Sequence, residues 1–575
     1  MTAAPCPGGE RRGSATAPAA RAAVVAVLLA LLCAQMLYAA YTMSATDDEP
    51  YCIVSGLAAL RTGDYRFNVD HPPLMNMALG AAAHLAGAAP LPRNQDWQQG
   101  LRMKYSYFYL WTGLNAPKAV NLVTAARFPV IALSLGLALL VFLWTRQLYG
   151  WKAALLPLAL YCFEPNLIAH SSVATLDLGL TAAFCFTLYA FWRYARTGRF
   201  RYLALTGLAL GAAAVIKLPG LLLLLVLPVL LYVGRKEERP VTAGSVAVPE
   251  PPAAAGMAAG VAGLATPLAL ILSFALVFMW AVYRFSFAPV STAPGALRIP
   301  LGQYWQNISF QLSHEQGGHV AYLLGMISST GWWYYYPLAF LVKTSLPLLL
   351  LLGFALSRGR LDRDELFLGI PAALFFAAAV MQNLDLGIRY LLPIYPLLII
   401  LVGRILTREW PAHWQAWPRR AALALALWAV AEAVIHAPQY LAYFNQLAGG
   451  PARGGRVLVD SNLDWGQDLR QLAAWQRRHP EASPLHFAYF GPADVARYGV
   501  RCERLPDLGP KDPLRPPEWY TTASQPRAGW IAISVNCLKL LPSYRWLGSY
   551  QPVDRAGYSI LIYHLPAGAE YQSPP

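Results

Sequence analysis

Apolar residues along this chain do not alternate with the short periods of a soluble fold. From residue 22 to residue 437 they recur as charge-poor runs separated by short basic or polar turns. A hydrocarbon core about 30 Å thick takes roughly 20 apolar residues per helical crossing. On that measure the pattern predicts about eleven membrane-crossing helices, near 22–40, 120–144, 152–163, 176–192, 202–216, 218–233, 260–283, 333–354, 366–381, 390–403 and 421–437. Several runs are shorter than the ideal and draw on apolar flanks, and the third is interrupted by Pro157 and ended by Glu164.

Two connections, 41–119 and 284–332, exceed ordinary loop length. In the first, Pro72-Pro73 opens the apolar segment Leu74–Ala89, which is short and rich in Gly and Ala. It predicts a helix lying at the membrane interface. Beyond residue 437 charges return, and short apolar runs appear at Arg456–Val459, His486–Tyr489, Trp530–Ser534 and Tyr558–Tyr563. With helical spacing over Asp468–Arg478, they predict a small α/β domain over 438–575. Residues 1–20 have the composition of a disordered segment, and Val241–Pro252 that of a mobile connection.

Composition agrees with an all-α polytopic membrane protein. The 575 residues are 57% hydrophobic and 13% charged, against about 25% charged in soluble domains. A net charge of +15 would point to nucleic acid in a soluble protein; its placement here excludes that. Basic residues collect in alternate turns: Arg11, Arg12 and Arg21; Arg146 and Lys152; Arg193, Arg196, Arg199 and Arg201; Arg235, Lys236 and Arg239; Arg358, Arg360 and Arg363; Arg404, Arg408, Arg419 and Arg420. The positive-inside bias then makes the N-terminus cytoplasmic. Loops 41–119 and 284–332 and the tail lie outside, and 21–437 is the transmembrane domain. The first run reads as a retained anchor, since many crossings follow it. The cysteines form no metal-binding spacing.

Ionisable groups near membrane depth default to functional candidates. Three acidic groups fall on the outer side: Asp47, Asp48 and Glu49; Asp70 beside His71 and two prolines; and His170 with Asp177. Complementary cations are Lys217, Lys343 and Arg389, the last followed by Tyr390. Such cations grip a phosphate or snorkel to the interface. The aromatic string Trp332–Tyr336 suits an interfacial belt or a sugar-contacting surface. His314, Glu315 and His319 miss the metalloprotease spacing. Asp460–Gln471 imitates a calcium loop, but Trp465 stands where glycine is needed and Gln471 where a carboxylate is needed. No Walker A or dinucleotide glycine signature is present, so neither a nucleotide nor a redox cofactor is indicated.

These residues resemble the bacterial membrane glycosyltransferases related to protein O-mannosyltransferases and to the lipid A aminoarabinose transferase. The likeness rests on Asp48-Glu49, His71-Pro72-Pro73-Leu74, Asp177, Trp332-Trp333 through Tyr336, Lys343-Thr344 with Pro347, and Arg389-Tyr390-Leu391-Leu392-Pro393. It covers most of 20–437, while Asn462–Asp468 is similar to a segment of uncharacterised bacterial relatives. The resemblance implies a C-type glycosyltransferase fold in a bacterial inner membrane. It implies catalytic carboxylates at Asp48, Glu49 and Asp70, with His71, His170, Asp177, Lys217, Trp332, Lys343, Arg389 and Tyr390 binding substrate. The expected partners are a polyprenyl-phosphate-sugar donor and an acceptor hydroxyl on a protein or a glycolipid. A carboxylate would deprotonate that hydroxyl, and direct attack would invert the anomeric centre. Mg²⁺ or Mn²⁺ is compatible with the carboxylates, though no ligand set requires either. A polyprenyl-linked glycan flippase, a ligase or another transporter stands as the alternative class.

Overall fold

The computed structural model describes residues 16–235, 253–291, 293, 295–357, 359–407, 417–505 and 528–567. The expected disorder of the extreme N-terminus falls largely, and the mobile 241–252 connection wholly, outside those residues. Each apolar run is a helix or a helix pair. Thr16–Thr42, Ala119–Tyr149, Trp151–Phe163, Asp177–Thr197, Phe200–Ala214, Leu223–Arg235, Ala253–Val282, Arg363–Met381, Tyr395–Val402 and Trp417–His436 follow one another along the chain. Among the described residues, five helices are long and apolar enough to cross a membrane, or six if one bent pair counts as a span. Phe200–Ala214 and Trp151–Phe163 are apolar but shorter than that measure, while Asp177–Thr197 and Trp417–His436 are long enough but are not among the five.

The bent pair is a departure from the continuous run at 333–354. Tyr335–Lys343 and Leu346–Leu356 meet at 111°. Thr344 and Ser345 are extended, and Pro347 lies in the first turn of the second helix, where its missing N–H costs nothing. A break inside a membrane protein exposes carbonyls that need donors. Asn445 supplies them: its Nδ2 donates to Leu341 O at 2.7 Å and Thr344 O at 2.8 Å, and its backbone N–H to Val342 O at 2.9 Å.

The 41–119 connection is helical, with Glu49–Thr62, Leu74–Leu85 and Arg102–Trp111. The first two pack with their backbones almost touching. A methyl added at Gly56 would meet the Asn76 carbonyl, and one at Gly80 would meet the backbone of Gly56 and Leu57. The 284–332 connection holds the helix Gly302–Gly317 and two short antiparallel hairpins. Asn307 ties it to the first connection, donating to Val69 O at 2.9 Å.

The tail forms a five-stranded mixed sheet in the order Glu503–Arg504, Leu485–Ala488, Gly529–Ser534, Ile560–Leu565, Asp554–Ala556. Helix Leu469–Arg478 follows the expected spacing. The run Arg456–Val459 is not a strand; it makes a single bridge, Leu458 with Leu323. One continuous buried apolar cluster runs from Val25 through the membrane helices to Ile562 in the sheet. The tail is therefore packed into the helical body.

The close helix pair gives a stability prediction. Gly56→Val should lower thermal stability in detergent by about 1–3 kcal/mol or more through overpacking. Gly136→Ala, on a helix face where an added Cβ meets nothing within 4 Å, should leave the melting temperature unchanged or raise it.

Candidate functional site

The turn between the first two helices places Asp48 and Glu49 in opposite environments. Asp48 precedes Glu49–Thr62 and keeps 35% of its side chain exposed. Glu49 is fully buried and forms a fork with Arg127, Nε to Oε1 and Nη2 to Oε2, both 2.7 Å. Its oxygens also accept from Ala174 N at 2.7 Å and Thr46 N at 2.8 Å. Arg127 in turn donates to carbonyls of Ala40, Met43 and Ser44. Four donors leave Glu49 no lone pair for an acceptor. The expected catalytic role for Glu49 gives way to a structural one, joining the first helix, the Ala119–Tyr149 helix and the Ala174 turn.

Asp48 faces a chain of alternating charges. Arg389 Nη1 lies 2.5 Å from Asp48 Oδ2 and 3.9 Å from Asp177 Oδ2. Lys217 Nζ lies 2.6 Å from Asp177 Oδ1 and 4.0 Å from the centre of the Tyr390 ring. Four residues from separate segments thus converge: the first connection, the start of helix Asp177–Thr197, the turn after Phe200–Ala214, and the turn Ile388–Ile394. Asp177 and Lys217 are almost fully buried, whereas Asp48 opens to solvent. Buried pairs of this kind persist where both charges are matched.

His71 borders the same cluster. Burial, reinforced by the Lys217 ammonium, lowers its pKa to about 3, so the imidazole is neutral. Asp70 lies in a second ion pair, with Arg102 Nη1 at 2.6 Å, and that guanidinium stacks over Tyr51 and Phe310. Burial raises the Asp70 pKa despite Arg102. His170 packs edge-on against Trp465, with ring centres 6.1 Å apart.

Two expected binding residues are placed elsewhere. Lys343 ends the first half of the bent pair and is 1% exposed. Its ammonium donates to Leu441 O at 3.0 Å and Asn462 O at 2.6 Å. It anchors the tail, a correction to its expected phosphate-gripping role. Trp332 contributes a backbone N–H to Asp385 Oδ2 at 2.8 Å, and burial raises the Asp385 pKa to about 6. The neighbouring Tyr335 hydroxyl accepts from Asn462 Nδ2 at 3.0 Å, and the Tyr336 hydroxyl donates to Leu384 O at 2.6 Å. Much of the aromatic string therefore braces the segment before Arg389.

Sequence reasoning missed Arg127, Arg102 and Trp465. Arg127 was legible as a lone cation in an otherwise apolar run, the usual mark of a buried partner. The calcium-like string is structural: Asp464 accepts from Asn536 N at 2.9 Å, and Asp468 from Tyr558 N, Ser559 N and Ser559 Oγ at 2.9–3.1 Å. Among the described residues, no group of three or more His, Cys, Asp or Glu is arranged to hold a metal. With Asp48 and Asp177 facing cations, this donor set does not fit Mg²⁺ or Mn²⁺.

A helical membrane body that gathers two acids and two cations from separate segments is the class of protein this geometry defines. Residues 119–246 match the family model described as dolichyl-phosphate-mannose-protein mannosyltransferase. ArnT from Cupriavidus metallidurans bound to undecaprenyl phosphate is 16% identical with a TM-score of 0.47, over 95% of this chain and 98% of that one. The S. cerevisiae Pmt1-Pmt2 complex bound to its sugar donor is 19% identical with a TM-score of 0.33, over 46% of this chain and 33% of that one. No curated protein matches the chain. What the comparisons show is a similarity of residues 119–246 to that mannosyltransferase family.

The contrast between adjacent acids is testable. Breaking a buried ion pair costs about 3–5 kcal/mol, so Glu49→Gln should sharply lower the detergent melting temperature. Asp48→Asn, at a partly open position, should shift it far less. Equal shifts in the two variants would contradict the division of roles.

Proposed function

We propose that this protein transfers a sugar from a polyprenyl-phosphate donor to an extracytoplasmic hydroxyl, with inversion at the anomeric carbon. The observation that carries the reading is Asp48: an accessible carboxylate held 2.5 Å from Arg389, beside the buried Asp177–Lys217 pair. A polyprenyl phosphate is already a good leaving group, so the reaction needs little acid assistance there. It needs a base for the acceptor proton and cations for the phosphate.

In the proposed step the acceptor oxygen attacks the anomeric carbon and its proton passes to Asp48. The bond from that carbon to the phosphate oxygen breaks, and the phosphate leaves with the bonding electrons. Arg389 and Lys217 balance the charge of the departing phosphate; a guanidinium suits this because its planar edge holds two oxygens at once. Asp177 keeps Lys217 oriented between visits of the donor. Neutral His71 offers a hydrogen bond without adding charge, and Tyr390 covers the Lys217 ammonium. Asp70, held by Arg102 at 2.6 Å, shapes the acceptor side. The charge complement comes from protein cations, and no step requires a metal.

Several features of the chain leave the acceptor as either a protein Ser/Thr or a glycolipid, because Asp70 and the His71–Leu74 string occur together. The surrounding assignment is a multi-pass protein of the bacterial inner membrane, with a cytoplasmic N-terminus and the tail outside. The runner-up reading is a polyprenyl-linked glycan flippase, ligase or other membrane transporter; all could share the phosphate grip, and a flippase or transporter has no use for an accessible base beside it.

Single-turnover transfer by purified, correctly inserted protein tests the roles. At saturating donor and acceptor, Asp48→Asn should reduce transfer by roughly 10²-fold or more, while Asp47→Asn should be mild. Arg389→Gln should weaken donor binding without harming insertion. A near-normal rate for D48N would end its assignment as base, and unchanged donor affinity for R389Q would remove Arg389 from phosphate binding.

A further inference from the structure

The tail string beginning at Asp460 sits on the charge cluster rather than in the sheet. Ser461 Oγ donates to Leu386 O at 2.7 Å, and Ile388 N donates to Asn462 Oδ1 at 2.9 Å. Gly387 between them has φ of 101°, and a side chain there would strike Ser461 and Asn462. The other edge of the string grips the turn before Asp48: Asp47 N donates to Trp465 O at 3.0 Å, and Ser44 N to Gln467 O at 2.9 Å. The string therefore touches both segments that supply the Asp48–Arg389 pair.

Its side chains complete the surroundings of that pair. Trp465 is 1% exposed, and the Arg389 guanidinium carbon lies 4.5 Å from its ring centre. An indole face attracts a guanidinium through the ring quadrupole and leaves the in-plane N–H groups to other partners; here Nη1 donates to Asp48 Oδ2 and Nε to Leu386 O at 3.2 Å. Asp460 occupies a left-handed conformation with φ of 57°, uncommon for a residue with a side chain and enriched at functional sites. Its backbone is fixed, with N donating to Asn536 Oδ1 at 2.8 Å and O accepting from Leu463 N and Asp464 N at 2.9 Å. Its carboxylate lies within electrostatic reach of Arg389, Asp48 and His319.

We propose that the tail is part of the transfer site: Trp465 is a positioning residue that holds Arg389 by its face, with an N–H of the guanidinium turned toward a lipid phosphate, and Asp460 adds a third acid to Asp48 and Asp177 around that cation. The proposal rests on the donor-binding reading above and extends it to residues outside the membrane domain. A phosphate arriving at Arg389 meets the negative charge of Asp460 as well as that of Asp48 and Asp177. Removing Asp460 should therefore ease phosphate binding, and removing the indole should weaken it.

Undecaprenyl phosphate is the probe, titrated into the full-length protein in detergent micelles. Trp465→Leu should lower its affinity roughly tenfold and Trp465→Phe by much less, because a smaller aromatic face remains. In an Arg389→Gln background, Trp465→Leu should add no further loss, since it acts through that cation. A merely structural tryptophan would give the same loss in both backgrounds, and that result overturns the proposal. Asp460→Asn should tighten binding severalfold at low salt and less at high salt. Unchanged affinity in D460N overturns the proposal even where W465L fails to fold. Absence of binding by the wild-type protein removes the donor-binding reading and the proposal together, whereas wild-type binding unaffected by W465L removes the tail's role alone.

Discussion

A guanidinium taken out of water must have its charge matched by its surroundings, and Arg389 is where this fold meets that requirement. Asp48 and Asp177 face its nitrogens, and Trp465 lies beneath its plane. Those partners come from the first connection, the Asp177–Thr197 helix and the tail. Placing one cation therefore fixes the relative positions of three parts of the chain. The buried Glu49–Arg127 fork does the same one residue further on, clamping the turn that presents Asp48. Desolvated charges hold position because any displacement leaves one unmatched. The same rigidity makes a carboxylate and a cation useful to chemistry at the open edge.

Much of the fold was legible because a bilayer restricts backbone choices so strongly. Runs such as 120–144 and 366–381 have no stable form in hydrocarbon other than a helix, and the structure has helices there. The helix after Pro72-Pro73 was also legible, with prolines marking its start. What hydropathy cannot show is where a buried helix breaks. The bend at Thr344 depends on Asn445, a residue 101 positions away that supplies donors to the freed carbonyls. Nothing local in 333–354 announces that partner. The run Arg456–Val459 failed as a strand because it lies against Ala321–Leu323 of the second connection, with a single bridge between Leu458 and Leu323, and not in the tail's sheet.

The candidate site divides in the same way. Asp48, Asp177, Lys217, Arg389 and Tyr390 were readable as ionisable or polar residues at the ends of apolar runs, and they converge. Glu49 and Lys343 carried the same signal and serve packing instead. Residue type and depth alone do not separate a saturated buried charge from an accessible one; only the count of hydrogen-bond partners does. Trp465 was visible merely as the wrong residue for a calcium loop. Its value comes from the guanidinium above it, a contact between residues 76 positions apart in the chain.

The central claim is that this geometry breaks a glycosyl–phosphate bond and does not merely hold the lipid. The measurement that addresses it most directly uses the purified protein in liposomes with a defined polyprenyl-phosphate-sugar and candidate hydroxyl acceptors, followed by mass spectrometry and anomeric NMR. The account predicts free polyprenyl phosphate and the sugar joined to an acceptor oxygen with inverted configuration. Intact donor carried from one leaflet to the other, with no bond broken for any protein or glycolipid acceptor, would contradict it.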